Sequence, residues 1–379
     1  MTEYLWQSLA WPQFRWDAAA VLTAVAETRL AQGRLLGRLE ALGFQEEARV
    51  EAEAVVQEAL KTSEIEGERL SRDSVRSSVA RRLGLDAAGL PPPERNVDGL
   101  VEMLLDATNR SDAPLTAERL KGWHAALFPT GYSGLTKITV ADWRPGPIQV
   151  VSGRPGRERV HYEAPPAVRV PEEMGCFLSW WVSERGSLEG LLRAGVAHLW
   201  FETIHPFDDG NGRLGRAVAE MALAQAEGSR RRCYSLSAQI SAEREAYDRA
   251  LEEAQFGGCE ITDWLFWFVG CVKRAVERSA GEARLAVRRA LFWQRQPVST
   301  LSARQVKVVN RLLEAGPGGF EGGLTNRTYR GMTKASAATA LRDLQDLADR
   351  GILVRKAGGG RSTSYDLPWD EILRDKADP

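Results

Sequence analysis

Little in this chain is suited to sulfur chemistry, to zinc binding or to crossing a membrane. Only four cysteines occur in 379 residues, at Cys176, Cys233, Cys259 and Cys271. No two of them form a Cys-x-x-Cys pair or stand beside histidines at zinc-ligand spacing, which excludes a zinc module read from spacing. Such low cysteine usage predicts reduced, buried thiols and a cytoplasmic protein. Long apolar runs are absent too, since the most apolar stretch, residues 264–272, falls well short of the ~20 residues a spanning helix needs. The segment from Met1 to Trp6 lacks a basic region followed by an apolar one, which predicts no signal peptide and no membrane partner. There is no excess of one charge: 50 Lys plus Arg oppose 51 Asp plus Glu, for a net charge of -1. Any contact with nucleic acid or an anionic surface must therefore be local.

What is present is material for helices. The chain is 44% hydrophobic and longer than the usual ~100 to 200 residues of one domain, so two or three folded units are expected. Trp6, Trp11 and Trp16 recur around Pro12 at a spacing that fits neither helix nor strand, which predicts a loop whose rings cap a bundle. Apolar spacing predicts helices over 17–42, 46–60 and 72–83, and Pro91, Pro92 and Pro93 then break the pattern. Further helices are expected at 97–108, 117–127, 171–185, 188–204, 214–227, 244–255 and 263–280. Residues 148–162 read instead as two short strands around a Gly/Pro turn. From about Ser299, helices at 303–315 and 334–350 precede Ile352-Leu-Val-Arg, a Gly358-Gly-Gly-Arg361 turn and Ser364-Tyr-Asp-Leu, the order of a winged helix-turn-helix. The expected fold class is mainly α, with an N-terminal helical region at 1–92, a helical domain with a β-hairpin at 93–290 and a winged helix-turn-helix domain at 299–379.

The segment His205-Pro-Phe-Asp-Asp-Gly-Asn-Gly-Arg-Leu-Gly-Arg216 carries the chemistry. It is a polar, glycine-rich loop between two helical stretches, and Gly210 and Gly212 let its backbone turn tightly and approach a ligand. Arg213 is expected to open the following helix, whose first amides lack intrahelical acceptors and form a cradle for phosphate. Arg213 and Arg216 lie three apart and share a face, each offering a guanidinium fork. Asp209 is a hard oxygen ligand of the kind Mg²⁺ prefers. His205 has an ordinary pKa of ~6.5, suited to taking a proton near neutrality. Base, metal ligand, anion cradle and two cations together suit phosphoryl transfer.

With these residues the chain resembles the Fic family of nucleotidyl transferases. The signature His-x-Phe-x-Asp/Glu-Gly-Asn-Gly-Arg-x-x-Arg is matched at His205, Phe207, Asp209, Gly210, Asn211, Gly212, Arg213 and Arg216. The likeness extends over roughly residues 96–275 and includes Trp143-Arg144. It implies a Fic helical core and an enzyme that moves AMP from ATP to a Tyr, Thr or Ser hydroxyl of a target protein, the chain itself among the candidates. By the resemblance, His205 would deprotonate the hydroxyl and Asp209 would hold Mg²⁺. Gly210, Asn211, Gly212, Arg213 and Arg216 would bind the ATP phosphates, and Phe207 would anchor the loop. The hairpin around Val151, Ser152 and Gly153 would be a flap for a target segment, and Tyr247 and Gln255 would border the adenosine. Many relatives carry two consecutive tyrosines where this chain has Tyr247 followed by Asp248.

Upstream, Thr62-Ser-Glu-Ile-Glu66-Gly67 matches the family's inhibitory pattern, Ser/Thr-x-x-x-Glu-Gly/Asn, which implies autoinhibition by Glu66 aimed at Arg216. His124, His161 and His198 are expected to be structural. Between Arg327 and Arg361 eight basic residues face only Asp343, Asp346 and Asp349, so the C-terminal domain is expected either to bind duplex DNA or to serve in packing or a homodimer. Two other functions remain open: a DNA-binding regulator with a vestigial Fic site, and a Fic enzyme that removes AMP or transfers another phosphate-containing group.

Overall fold

The computed structural model describes residues 4–40, 44–85, 87, 89–152, 159–229, 232–295, 301–317, 320, 322–356, 363–369 and 372. It divides into two compact units, Met1–Glu40 with Glu47–Ser279, and Ala41–Glu46 with Ala280–Pro379.

The first unit is built around two antiparallel helices. Helix α7 (Gly190–Ile204) is buried on every side from Leu191 to Ile204, as its nearly continuous apolar sequence demands. It packs along α8 (Asn211–Glu227), buried from Arg213 to Ala224. Around this pair stand α1 (Ala18–Glu40), α2 (Phe44–Ile65), α3 (Arg72–Leu83), α4 (Arg95–Asn109), α5 (Ala117–Leu127), α6 (Val170–Ser183), α9 (Leu236–Ala242), α10 (Arg244–Gln255) and the first turns of α11 (Thr262–Arg295). Close approach requires glycine at several helix contacts. A Cβ on Gly99 of α4 would lie 1.8 Å from the Ala126 carbonyl oxygen of α5, and one on Gly195 of α7 would meet Leu265 and Phe268 of α11. The N-terminal aromatics pack on this core: Trp11 and Phe14 meet the Trp200 ring edge-on, and Tyr4 lies against Tyr162 and Phe256.

Strands are few and paired antiparallel: β1 (Tyr132–Ser133) with β2 (Thr136–Lys137), and β3 (Gln149–Ser152) with β4 (Arg159–Glu163). Periodicity missed the first pair because each strand is two residues long. Gly153 lies outside the described residues.

The second unit has its own core, in which Val308, Val309 and Leu312 of α12 (Ala303–Ala315), Tyr329 of α13 (Asn326–Thr333) and Ala340, Leu344 and Leu347 of α14 (Ala337–Asp349) pack with Phe292. Strand β5 (Val354–Arg355) pairs with β6 (Tyr365–Asp366). The turn at Gly358 to Arg361 lies outside the described residues. The helix expected at 334–350 begins at Ala337 instead, because Lys334 is left-handed at φ 55 and Ser336 caps the amide of Thr339. The helix expected to end at Ala280 runs on to Arg295.

Candidate active site

The loop between α7 and α8 is held from below and from both sides. Helix α7 stops at His205, whose backbone is left-handed (φ 50, ψ 61) while its N–H donates to the Phe201 carbonyl at 2.9 Å. A left-handed non-glycine residue costs roughly 1 to 2 kcal/mol and persists only where its surroundings enforce it. Arg144, 2% exposed, enforces it. Its Nε donates to the His205 carbonyl at 2.7 Å, its other donors reach Gly146, Pro165 and Ile204, and its backbone N–H donates to Pro206.

Phe207 is fully buried and anchors the loop, stacked on His124 with ring centroids 4.3 Å apart and lying against Trp143. His124 Nδ1 accepts from the Ala141 N–H, so Nε2 carries the proton and donates to the Asp209 carbonyl at 3.1 Å. Burial lowers the His124 pKa to about 4. It is a structural histidine, and what it supports is this loop. Asn211 closes the loop on itself: its Oδ1 accepts from the Phe207 N–H at 2.9 Å and its Nδ2 donates to the Phe207 carbonyl at 2.7 Å. These bonds use Oδ1 and one of the two Nδ2 hydrogens, leaving the backbone amide and the second Nδ2 hydrogen as the donors Asn211 has for a phosphate. Helix α8 starts at Asn211, two residues before Arg213, with Gly210 left-handed (φ 81) at its N-cap.

His205 Nδ1 lies 3.2 Å from the Glu202 carbonyl, an acceptor only, so Nδ1 carries the proton and Nε2 keeps its lone pair. Burial lowers the His205 pKa to about 4, against the opposing effect of that carbonyl. The Glu202 side chain is 3.8 Å from the same ring, but burial raises its pKa to about 8. At neutral pH both groups are therefore uncharged and do not form an ion pair. The Glu202 carboxyl fits beneath α8 because Gly215 has no Cβ, which would lie 2.3 Å from Oε1.

Asp209 accepts from the Gly210 N–H at 2.5 Å and from the Ser133 hydroxyl of β1. Its side chain is 38% exposed, with Arg213 at 4.0 Å. Among the described residues no three His, Cys, Asp or Glu side chains gather as a metal site. A single accessible carboxylate beside an anion cradle nevertheless fits Mg²⁺, which takes most of its shell from water and phosphate.

Both arginines in the first turns of α8 already have carboxylate partners. Arg216, 1% exposed, donates from Nε to Thr62 Oγ1 at 2.8 Å, and from Nη2 to the Thr62 carbonyl at 3.0 Å and to Glu66 Oε1 at 2.7 Å. Glu66 lies over the first turn of α8, where a Cβ on Gly212 would come within 2.2 Å of its Oε1. Burial pushes the Glu66 carboxyl up, but Arg216, with Arg213 and Arg244, overrides this and holds it below the usual range. Glu66 is thus an anion at the amino end of a helix, the position such a dipole favours. Arg213 Nη1 pairs with Glu68 Oε2 at 3.0 Å, a partner that the sequence pattern did not show.

The remaining candidates lie farther back. Tyr247 is buried, its hydroxyl 3.0 Å from His198 Nε2, and Gln255 is 4% exposed, so neither presents an open edge to a ligand. Val151 is exposed on β3, beside exposed Val150 and Val160. Ser152 pairs with Arg159 through the backbone.

Comparison with known proteins accords with this geometry. Residues 114–223 match the Fic/DOC family, and residues 4–85 match a domain of unknown function (DUF4172). A probable protein adenylyltransferase of Aquifex aeolicus is 30% identical over 104 residues, which are 27% of this chain and 30% of that protein. The match therefore spans under a third of that relative's length. Two solved structures share the fold. A Fic family protein from Desulfovibrio desulfuricans has a TM-score of 0.52 at 20% identity, covering 92% of this chain and 95% of that one. A Fic domain containing signaling protein from Bacteroides thetaiotaomicron has a TM-score of 0.53 at 18% identity, covering 70% of this chain and 96% of that one.

Proposed function

The chain is a Fic/DOC-family protein through residues 114–223, and from that premise we propose that it is a protein adenylyltransferase using ATP, held inactive by Glu66. The observation that carries the reading is His205: an uncharged imidazole with Nδ1 tied to the Glu202 carbonyl and Nε2 unprotonated, at the mouth of an anion cradle. In the proposed step, Nε2 takes the proton of a target hydroxyl as that oxygen bonds to the α-phosphorus of ATP. The bond from the α-phosphorus to the bridging oxygen breaks, and pyrophosphate leaves with that electron pair. Arg213, Arg216 and the first amides of α8 neutralise the phosphates and hold them in line. Asp209 would hold Mg²⁺, which supplies charge neutralisation when bound. The exposed edge of β3 at Val150 and Val151 suits docking of an extended target segment by strand addition.

Glu66 inhibits by occupying the Arg216 guanidinium that a phosphate would need. ATP then binds with its terminal phosphates displaced, and orientation suffers more than uptake. The test is incubation of purified wild-type and Glu66→Gly protein with ATP labelled at the α phosphate, alone and with cell lysate, beside His205→Ala in each background. Label should enter protein with Glu66→Gly and fall by ~10² to 10⁴ when His205 is lost. Transfer at the parental rate without His205 would overturn the mechanism.

A second reading concerns residues 299–379, proposed as a winged helix-turn-helix domain that binds duplex DNA. Arg327, Arg330, Lys334 and Arg342 are all exposed on α13, α14 and the turn between them, where they could meet phosphates on either side of a helix lying in a groove.

A further inference from the structure

The segment from Thr62 to Glu68 places two carboxylates on the candidate phosphate site. Within a helix, residues two apart point to opposite sides, so Glu66 and Glu68 could not both face α8 if α2 continued. Gly67 reverses the chain. It is left-handed at φ 81, its N–H donates to the Glu64 carbonyl, and the Glu68 N–H donates to the Ser63 carbonyl at 2.9 Å. These two bonds are the pair that closes a helix end around a left-handed glycine. The closure returns Glu68 to the side on which Glu66 lies.

Each carboxylate then meets a different guanidinium, Glu66 on Arg216 at 2.7 Å and Glu68 on Arg213 at 3.0 Å. Asn96 Nδ2 of α4 donates to the other Glu68 oxygen at 3.3 Å and aims the carboxylate. The Glu-Gly-Glu of one segment thus matches the Arg-x-x-Arg of the other, one anion to each cation.

We infer that Glu68 is a second, separately removable occupant of the site, and that Glu66 and Glu68 together stand in for two linked phosphate groups across Arg213 and Arg216. The inference rests on reading these arginines as phosphate ligands, and it adds a second blocking carboxylate outside the Thr62 to Gly67 pattern. A pyrophosphate group must displace both carboxylates to reach both arginines. Releasing Glu66 alone therefore leaves half of the site filled.

The test is calorimetric titration of the full chain with inorganic pyrophosphate, on wild type, Glu66→Gln, Glu68→Gln and the double variant. Removing a partly exposed carboxylate should tighten pyrophosphate binding by about threefold to tenfold in each single variant, with the two gains multiplying in the double. Gly67→Ala provides a backbone control. No atom lies within 4 Å of the added Cβ, so only the left-handed turn is disturbed, and it too should tighten pyrophosphate. If Glu68→Gln leaves pyrophosphate affinity unchanged both alone and beside Glu66→Gln, the two-point occupancy is wrong, whatever the variants do with ATP. If Glu68→Gln tightens pyrophosphate but no variant transfers AMP, the adenylyl-transfer reading fails and the two-point site stands.

Discussion

Replacing Glu66 by Gln should accelerate AMP transfer while making the ligand-free protein less stable. Arg216 has three hydrogen-bond acceptors here, Thr62 Oγ1, the Thr62 carbonyl and Glu66, and of these Glu66 alone brings a charge. A hydrogen bond to a charged group contributes roughly 1.5 to 3 kcal/mol. The Glu66 side chain is 34% exposed, which puts this pair at the low end, ~1.5 kcal/mol. That corresponds to about tenfold in the balance between an occupied and a vacated guanidinium. Gln keeps an amide oxygen that can accept from Arg216, so initial rates of labelling from α-labelled ATP, below saturation, should rise about threefold in Glu66→Gln and about tenfold in Glu66→Gly. The buried Arg216 loses its counter-charge in the same step, so the thermal midpoint without nucleotide should fall by a few degrees. A rise in rate coupled to a fall in midpoint separates release of a lock from general repair of the fold. If neither variant labels itself or lysate proteins faster than wild type, while His205→Ala abolishes what labelling there is, Glu66 is an ordinary helix-end residue.

Stability should pass through a maximum near pH 6.5. Burial lowers His124, His198 and His205 to about 4, so between pH 6.5 and 4 the unfolded chain binds more protons and stability is lost as pH falls. Burial raises Glu202 to about 8 and Glu220 to about 7, so from 4.5 up to those values the folded chain holds protons the unfolded one has released, and stability is lost as pH rises. A thermal midpoint climbing steadily from pH 6.5 to 8.5 would contradict this. The DNA reading predicts that a fragment of residues 280–379, which keeps Phe292 in its core, binds duplex DNA in low salt, with affinity falling steeply as salt rises. Absence of binding in a low-salt anisotropy titration would end it.

The motif loop was legible because its information is local. Gly210, Gly212 and the Arg213–Arg216 spacing announce a tight turn into a helix end, and the structure places them there. Helices whose ends carry their own signals were likewise readable to the residue: α3 ends at left-handed Gly84, and α5 starts after Thr116, which caps Arg119. Helix α8 was read as starting late because its true start depends on a bond four residues long, Asn211 onto Phe207, that composition does not advertise. Residues that act on the loop from elsewhere in the chain were not legible in their roles. Arg144 clamps His205 from 61 positions away, and His124 supports Asp209 from 85 away. Nothing in their immediate neighbours encodes those distances.

Glu68 shows the limit most clearly. Its sequence context, Glu-Gly-Glu-Arg, reads as a solvated helix end, and by local rules a charged residue after a terminating glycine should face water. The same glycine that ends the helix also returns the chain toward α8, so the stop signal and the second carboxylate contact are one feature of the backbone. Local propensity fixes the turn, and only the placement of α8 gives the turned residue a partner. The pairing of Glu68 with Arg213 therefore depends on both halves of the unit being folded, whereas the left-handed conformation of Gly67 does not. Gly67→Ala accordingly disturbs the two arginine contacts through the backbone, and the two glutamine substitutions disturb them through charge. Agreement between the two perturbations would place the effect in the two arginine contacts, the one feature that both of them weaken.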